Sequence, residues 1–145
     1  MNLLWLQSGG CGGCTMSLLC SGARDLPGLL EGAGIHIAWH PSLSEATGEE
    51  VRALLAEFES GARPLDLLCV EGAILRGPEG SGRFHILAGT GTPMLDWARR
   101  LAAQAGTVLA IGMNSRNATP MTMVPSPNLT GLDGCRLPSL VQMAA

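Results

Sequence analysis

No lysine occurs anywhere in these 145 residues. A phosphate-gripping lysine of the P-loop kind and a Schiff-base lysine are therefore excluded. Tyrosine is also absent, and Phe58 and Phe84 are the only phenylalanines, so a base-stacking platform for nucleic acid is not expected. The basic residues are scattered along a chain of net charge −3, which points to no nucleic-acid partner and no polybasic membrane patch. Long apolar runs are missing as well. The first, Leu3 to Leu6, is broken at once by Gln7-Ser8-Gly9-Gly10, too early for a signal peptide or a spanning helix. The expectation is a cytoplasmic protein with no direct membrane insertion.

Apolar residues make up 46% of the chain, which suits a folded globular domain rather than a disordered one. Leu3–Leu6 reads as a short buried strand and is followed by a glycine-rich turn. Thr15 to Cys20 starts a helix, and Leu26, Leu29 and Leu30 sit at helical spacing. Ile35–Trp39 reads as a second strand. Gly48 to Ser60 is the clearest helix, with Val51, Leu54, Leu55 and Phe58 forming an i, i+3, i+4, i+7 stripe. Leu65 to Val70 is a third strand, and Gly77 to Gly82 a turn-rich loop. Met94, Trp97, Ala98 and Leu101 mark a further helix behind Pro93, and Thr107 to Ile111 a fourth strand. Strands alternating with helices imply an α/β fold built on a parallel sheet. Right-handed crossovers place the strand-to-helix loops together at the carboxyl edge, where such sheets bind ligands.

The character changes after Gly112. Residues 113–145 are rich in Pro, Asn, Ser and Thr, and Pro120, Pro125, Pro127 and Pro138 oppose a long regular element. The division read from the sequence is one domain over 1–112 and an irregular tail over 113–145.

Five cysteines are an odd number, and in a reducing compartment they favour metal or redox chemistry over a disulfide framework. Cys11 and Cys14 stand in Ser8-Gly9-Gly10-Cys11-Gly12-Gly13-Cys14, directly behind the first strand. Four glycines let the backbone approach a bulky ligand and aim amides at it. Two thiolates three residues apart hold neighbouring corners of one metal site. Spacing alone leaves three readings open: an iron–sulfur cluster, a dithiol or zinc half-site, and an inert glycine turn. The run is not a dinucleotide fingerprint, because Cys14 stands where the third glycine would be.

Cys69, inside the third strand, reads as a core residue, and Cys20 as a packing residue on the first helix. Glu71 follows the apolar run Leu67-Leu68-Cys69-Val70. A carboxylate there is costly to desolvate without partners. Its readings are a loop carboxylate bonded to nearby amides, a proton relay, or a partner contact. His36, His40 and His85 lack metal-pair spacing and read as capping or surface residues.

The run Leu4-Trp5-Leu6-Gln7-Ser8-Gly9-Gly10-Cys11-Gly12-Gly13-Cys14-Thr15-Met16-Ser17 resembles the opening of [NiFe]-hydrogenase small subunits, and in particular the cytoplasmic uptake and hydrogen-sensing group. Further blocks follow in order: Trp39-His40-Pro41-Ser42-Leu43-Ser44, Val70-Glu71-Gly72, Arg76-Gly77-Pro78, Gly82-Arg83-Phe84-His85 and Gly89-Thr90-Gly91-Thr92-Pro93-Met94. Together they cover roughly residues 3 to 112 and are far more specific than one C-x-x-C. The resemblance implies a flavodoxin-like domain holding a [4Fe-4S] cluster, with Cys11 and Cys14 as two of its ligands. It implies that Glu71 lies beside that cluster, on a proton path or at the subunit boundary. The implied partners are a large subunit carrying the [NiFe] centre and a downstream electron acceptor or sensor protein. The chain departs from the family pattern after the fourth strand. There the family has Gly-Thr-Cys, and this chain has Gly112-Met113-Asn114. The ligand set within the chain is thus expected to be incomplete, with the fourth ligand beyond its end, as in a truncated or frame-shifted product. The alternatives are a non-catalytic docking module for the large subunit and a thiol-disulfide protein using Cys11 and Cys14.

Overall fold

The computed structural model describes residues 1–20, 25–75, 85–87 and 89–112. The expected loop at 77–82, the blocks at 76–78 and 82–84, Met113, Cys135 and the tail at 113–145 lie outside the described residues. The elements run β1 (Asn2–Gln7), α1 (Gly13–Leu19), α2 (Leu26–Gly32), β2 (His36–Trp39), α3 (Gly48–Ser60), β3 (Leu67–Glu71), α4 (Met94–Gln104) and β4 (Thr107–Ile111). The strands form one sheet in the order β2-β1-β3-β4, and every neighbouring pair is parallel. This is the expected α/β architecture, in the strand order of a flavodoxin-like sheet.

Period-two alternation sends successive side chains to opposite faces. Leu4, Leu6, Leu68 and Val70 face α3 and α4, where they join Val51, Leu55, Phe58, Met94, Trp97, Ala98 and Leu101 in the larger core. The helical stripes read from the sequence are the buried faces of those two helices. Leu55, Phe58 and Leu101 are fully buried, each contributing about 1.5–3 kcal/mol of transfer free energy. Gly61 ends α3 at φ 74°, and its amide donates to Phe58 O. Leu3, Trp5 and Cys69 point to the other face, against half-buried Leu18, Ile35, Ile37, Leu67, Leu109 and Ile111.

Three expectations change. Cys20 is exposed at the C-cap of α1 and is not a packing residue, because that helix ends one residue before it. Leu29 is exposed although it fits the helical spacing of α2, whose only buried residue is Leu26. The third strand begins two residues later than expected and takes in Glu71, since the ladder continues through Gln7↔Glu71 and Glu71↔Ile111. Among the described residues, no helix is long and apolar enough to cross a membrane.

Candidate functional site

Parallel pairing puts the carboxyl ends of β1, β3 and β4 side by side, and the segments leaving them converge. Ser8 donates its amide to Glu71 O at 2.8 Å, Gly9 and Ala73 exchange amide bonds at 2.8 and 3.0 Å, and Gly72 donates to Ile111 O at 2.9 Å. Two glycines are required by this convergence. Gly72 has φ +83°, and a Cβ there would lie 3.0 Å from the Gly9 backbone. Gly112 has φ +66°, and a Cβ there would collide with Cys14 Sγ. Both conformations are ones that only glycine adopts freely.

The paired cysteines sit on this edge. Gly12, in the left-handed region, turns the chain into α1. Cys11 is exposed and Cys14 half-buried. Burial pushes the Cys14 thiol above its ordinary value, and the charges of Glu71 and then Cys11 add to the rise. A bound cation would reverse that penalty, because a coordinating thiol loses its proton outright.

Glu71 lies beneath the cysteine turn and is buried. Its register position gives it the face shared with Trp5 and Cys69 rather than the α3–α4 core. Oε1 accepts the Thr15 amide at 3.0 Å. Oε2 accepts Trp5 Nε1–H at 3.1 Å, Gln7 Nε2–H at 3.2 Å and the Thr15 hydroxyl. Burial pushes the carboxyl upward, but the hydrogen bonds from Thr15, Trp5 and Gln7 outweigh it and hold it below its ordinary value. Each of these donors stabilises the charged form. The Glu71 environment is thus that of a bonded carboxylate with four donors, three of them side chains.

His40 is buried rather than on the surface, because its ring packs against Trp5 at 4.9 Å between centroids. It also caps a turn: Ser42 N–H donates to Nδ1 at 3.0 Å. An Nδ1 that accepts leaves the neutral ring's proton on Nε2, which lies 3.4 Å from Thr15 Oγ1. Burial lowers the His40 pKa from 6.5, and the Glu71 charge opposes that shift. His36 is exposed, and His85 Nδ1 lies 3.4 Å from Ser8 Oγ. Cys69 is fully buried in the second core, and burial, then the charges of Glu71 and Cys14, push its thiol up to about 12.

The structure places Cys11 and Cys14 in one turn, with the Glu71 charge acting on the Cys14 thiol. It adds Trp5, Gln7, Thr15 and His40, which the sequence reading did not assign to the site. A signal for two of them exists in the strand pattern: Trp5 and Gln7 have the parity that puts them beside Glu71. Among the described residues, no group of three or more His, Cys, Asp and Glu side chains converges to hold a metal. Two thiols in a glycine cradle fit one edge of an iron–sulfur cluster, whereas a cubane normally takes four cysteine ligands.

A profile of the family described as NADH ubiquinone oxidoreductase, 20 Kd subunit, matches residues 11–138. The chain is 27% identical to the quinone-reactive Ni/Fe-hydrogenase small chain of Wolinella succinogenes, over 92% of this chain and 40% of the relative. It is 30% identical to the F420 non-reducing hydrogenase II small subunit of Methanosarcina mazei, over 76% of this chain and 31% of the relative. The chain thus spans well under half the length of these curated relatives. Among solved structures it is similar to the actinobacterial-type NiFe-hydrogenase of Ralstonia eutropha H16, with TM-score 0.62 and 25% identity, covering 77% of this chain and 36% of that one. It is also similar to the reduced, active Ni-Fe-Se hydrogenase of Desulfomicrobium baculatum, with TM-score 0.61 and 27% identity, covering 77% and 41%.

Proposed function

We propose a function from one premise: the chain belongs to the NADH ubiquinone oxidoreductase 20 Kd subunit family. Within that family its relatives point to the small subunit of a [NiFe]-hydrogenase. The proposed task is electron transfer for hydrogen uptake or hydrogen sensing, in the cytoplasm. A separate large subunit would carry the [NiFe] centre and split hydrogen, and a further protein would accept the electrons or read the signal.

The observation that carries this reading is the position of Cys11 and Cys14 at the carboxyl edge of a parallel sheet, where the ends of β1, β3 and β4 meet. Such edges are where open α/β sheets bind ligands. A [4Fe-4S] cluster held there would supply one-electron chemistry. Cys11 and Cys14 would ligate one side of it. The glycines keep Cβ atoms out of its approach, and the buried Glu71 network fixes the helix on which Cys14 rides.

The test is anaerobic reconstitution of the chain with and without a co-expressed hydrogenase large subunit, followed by iron and sulfide analysis. Iron and sulfide at this site, lost in Cys11→Ser and Cys14→Ser, support the proposal. A chain that takes up neither in either setting is not an electron carrier. One observation favours a second reading, a docking module without a complete cluster: Gly112 is followed by Met113-Asn114, so Asn114 stands where the third cysteine of Gly-Thr-Cys was expected. A colourless complex with the large subunit is the outcome that reading requires.

A further inference from the structure

Glu71 receives four donors, one on Oε1 and three on Oε2. They come from two separate elements. Trp5 and Gln7 lie on β1, while the amide and hydroxyl of Thr15 lie in the first turn of α1. Glu71 itself ends β3. One buried side chain therefore joins three elements at the point where Cys14 begins its helix. The Thr15 hydroxyl also lies 3.4 Å from His40 Nε2. With Ser42 N–H donating to Nδ1, each proton has an assigned direction: His40 to Thr15, and Thr15 to Glu71.

We propose that Glu71 and Thr15 are positioning residues that clamp the Cys11–Cys14 turn to the sheet. Two of the four bonds come from Thr15 and two from β1, so the one carboxylate ties the first turn of α1 to the strand before it. Thr15 is the neighbour of Cys14, so holding both its amide and its hydroxyl sets the direction in which the Cys14 thiol leaves α1. The clamp rests on the geometry of the folded chain, while its use in ligating iron rests on the function proposed above.

The experiment uses the full chain and three variants: Thr15→Val, Thr15→Ser and Glu71→Gln. Thr15→Val keeps the shape and the amide but removes the hydroxyl, and Thr15→Ser restores the hydroxyl. Amide hydrogen exchange is read on the metal-free chains over residues 12–16. Retained iron is read after reconstitution. Thr15→Val is expected to speed exchange there about tenfold, as the loss of one charge-assisted bond implies, and to lower iron retention. Thr15→Ser is expected to return both close to the parent. Glu71→Gln, which places an amide against four donors, is expected to exceed Thr15→Val in both, and Thr15→Val stands alone if that variant does not fold. Exchange in Thr15→Val equal to the parent overturns the clamp, as does a serine variant that behaves like valine. A parent that binds no iron but shows this exchange pattern sinks the proposed function and leaves the clamp standing.

Discussion

Gly112 and Cys14 are in close approach: a β-carbon on Gly112 would collide with the Cys14 sulfur. The end of β4 and the start of α1 are far apart in sequence, yet they meet at the cysteine edge.

Gly112→Ala is expected to damage the site more than the fold. The substitution meets both a positive φ, where alanine is strained, and the Cys14 sulfur. Destabilisation of about 1–3 kcal/mol is expected, measured by urea unfolding. Iron retention should fall further than that loss of stability accounts for. Wild-type stability and iron content in the variant would show that the approach of β4 to Cys14 is wrong.

Asn114→Cys is expected to raise the iron retained after reconstitution. A carboxamide lacks the anionic thiolate that cubane iron normally takes, and a cysteine there would restore the third ligand of the Gly-Thr-Cys pattern. Retention should still stop short of four irons per chain, because three thiolates do not complete a four-iron site. Paired reconstitution, read by iron content and by sulfur-to-iron charge-transfer absorbance, decides this. A stable four-iron cluster in the unmodified chain would require other ligands.

Thiol labelling of the metal-free chain is expected to be strongly ordered. Cys11 and Cys20 are exposed and should react first. Cys14 should lag, because burial and then the Glu71 charge disfavour its thiolate. Cys69 is fully enclosed, with its thiol pushed up to about 12, and should react only on unfolding. Peptide mapping after a timed iodoacetamide pulse at pH 8 reads the order. Cys69 labelling at the rate of Cys20 would contradict the second core.

His40 is expected to make stability fall as the solution is acidified. Its folded pKa lies below 6.5, so the native state binds its proton less readily than the unfolded chain. The contribution is complete above about 6.5 and is lost as pH falls from there through the folded value. The slope from this one group is at most about 1.4 kcal/mol per pH unit. Glu71, whose carboxyl is also held below its ordinary value, adds a loss of the same sign only in the more acidic range below that value. Urea unfolding between pH 7.5 and 5, with His40→Gln alongside, isolates the histidine. An identical slope in the variant would mean that His40 is not the group responsible.

The elements were legible because their signals are local. Val51, Leu55 and Phe58 repeat at helical spacing, and Leu4, Leu6, Leu68 and Val70 share strand parity, so periodicity alone gave α3, the strands and the parallel α/β class. The Cys11–Cys14 pair was legible because both thiols lie in one glycine-rich turn. Periodicity did not decide where the ladder stops. The strand β3 runs through Glu71 because Gln7 and Ile111 pair with it, and no property of the local run Leu67–Val70 carries that. Cys20 and Leu29 fit a buried pattern, but α1 and α2 have seven residues each, too few to cover every apolar side chain. Glu71 could be singled out from sequence, since a carboxylate after an apolar run is expensive to bury. Its partners could not, because Thr15 is 56 positions away and Trp5 66. Sequence alone determined which segments fold and which thiols stand together. Only the parallel order β2-β1-β3-β4 decided which distant donors surround Glu71, because hydrogen bonds between separate strands and helices depend on how the sheet orders them.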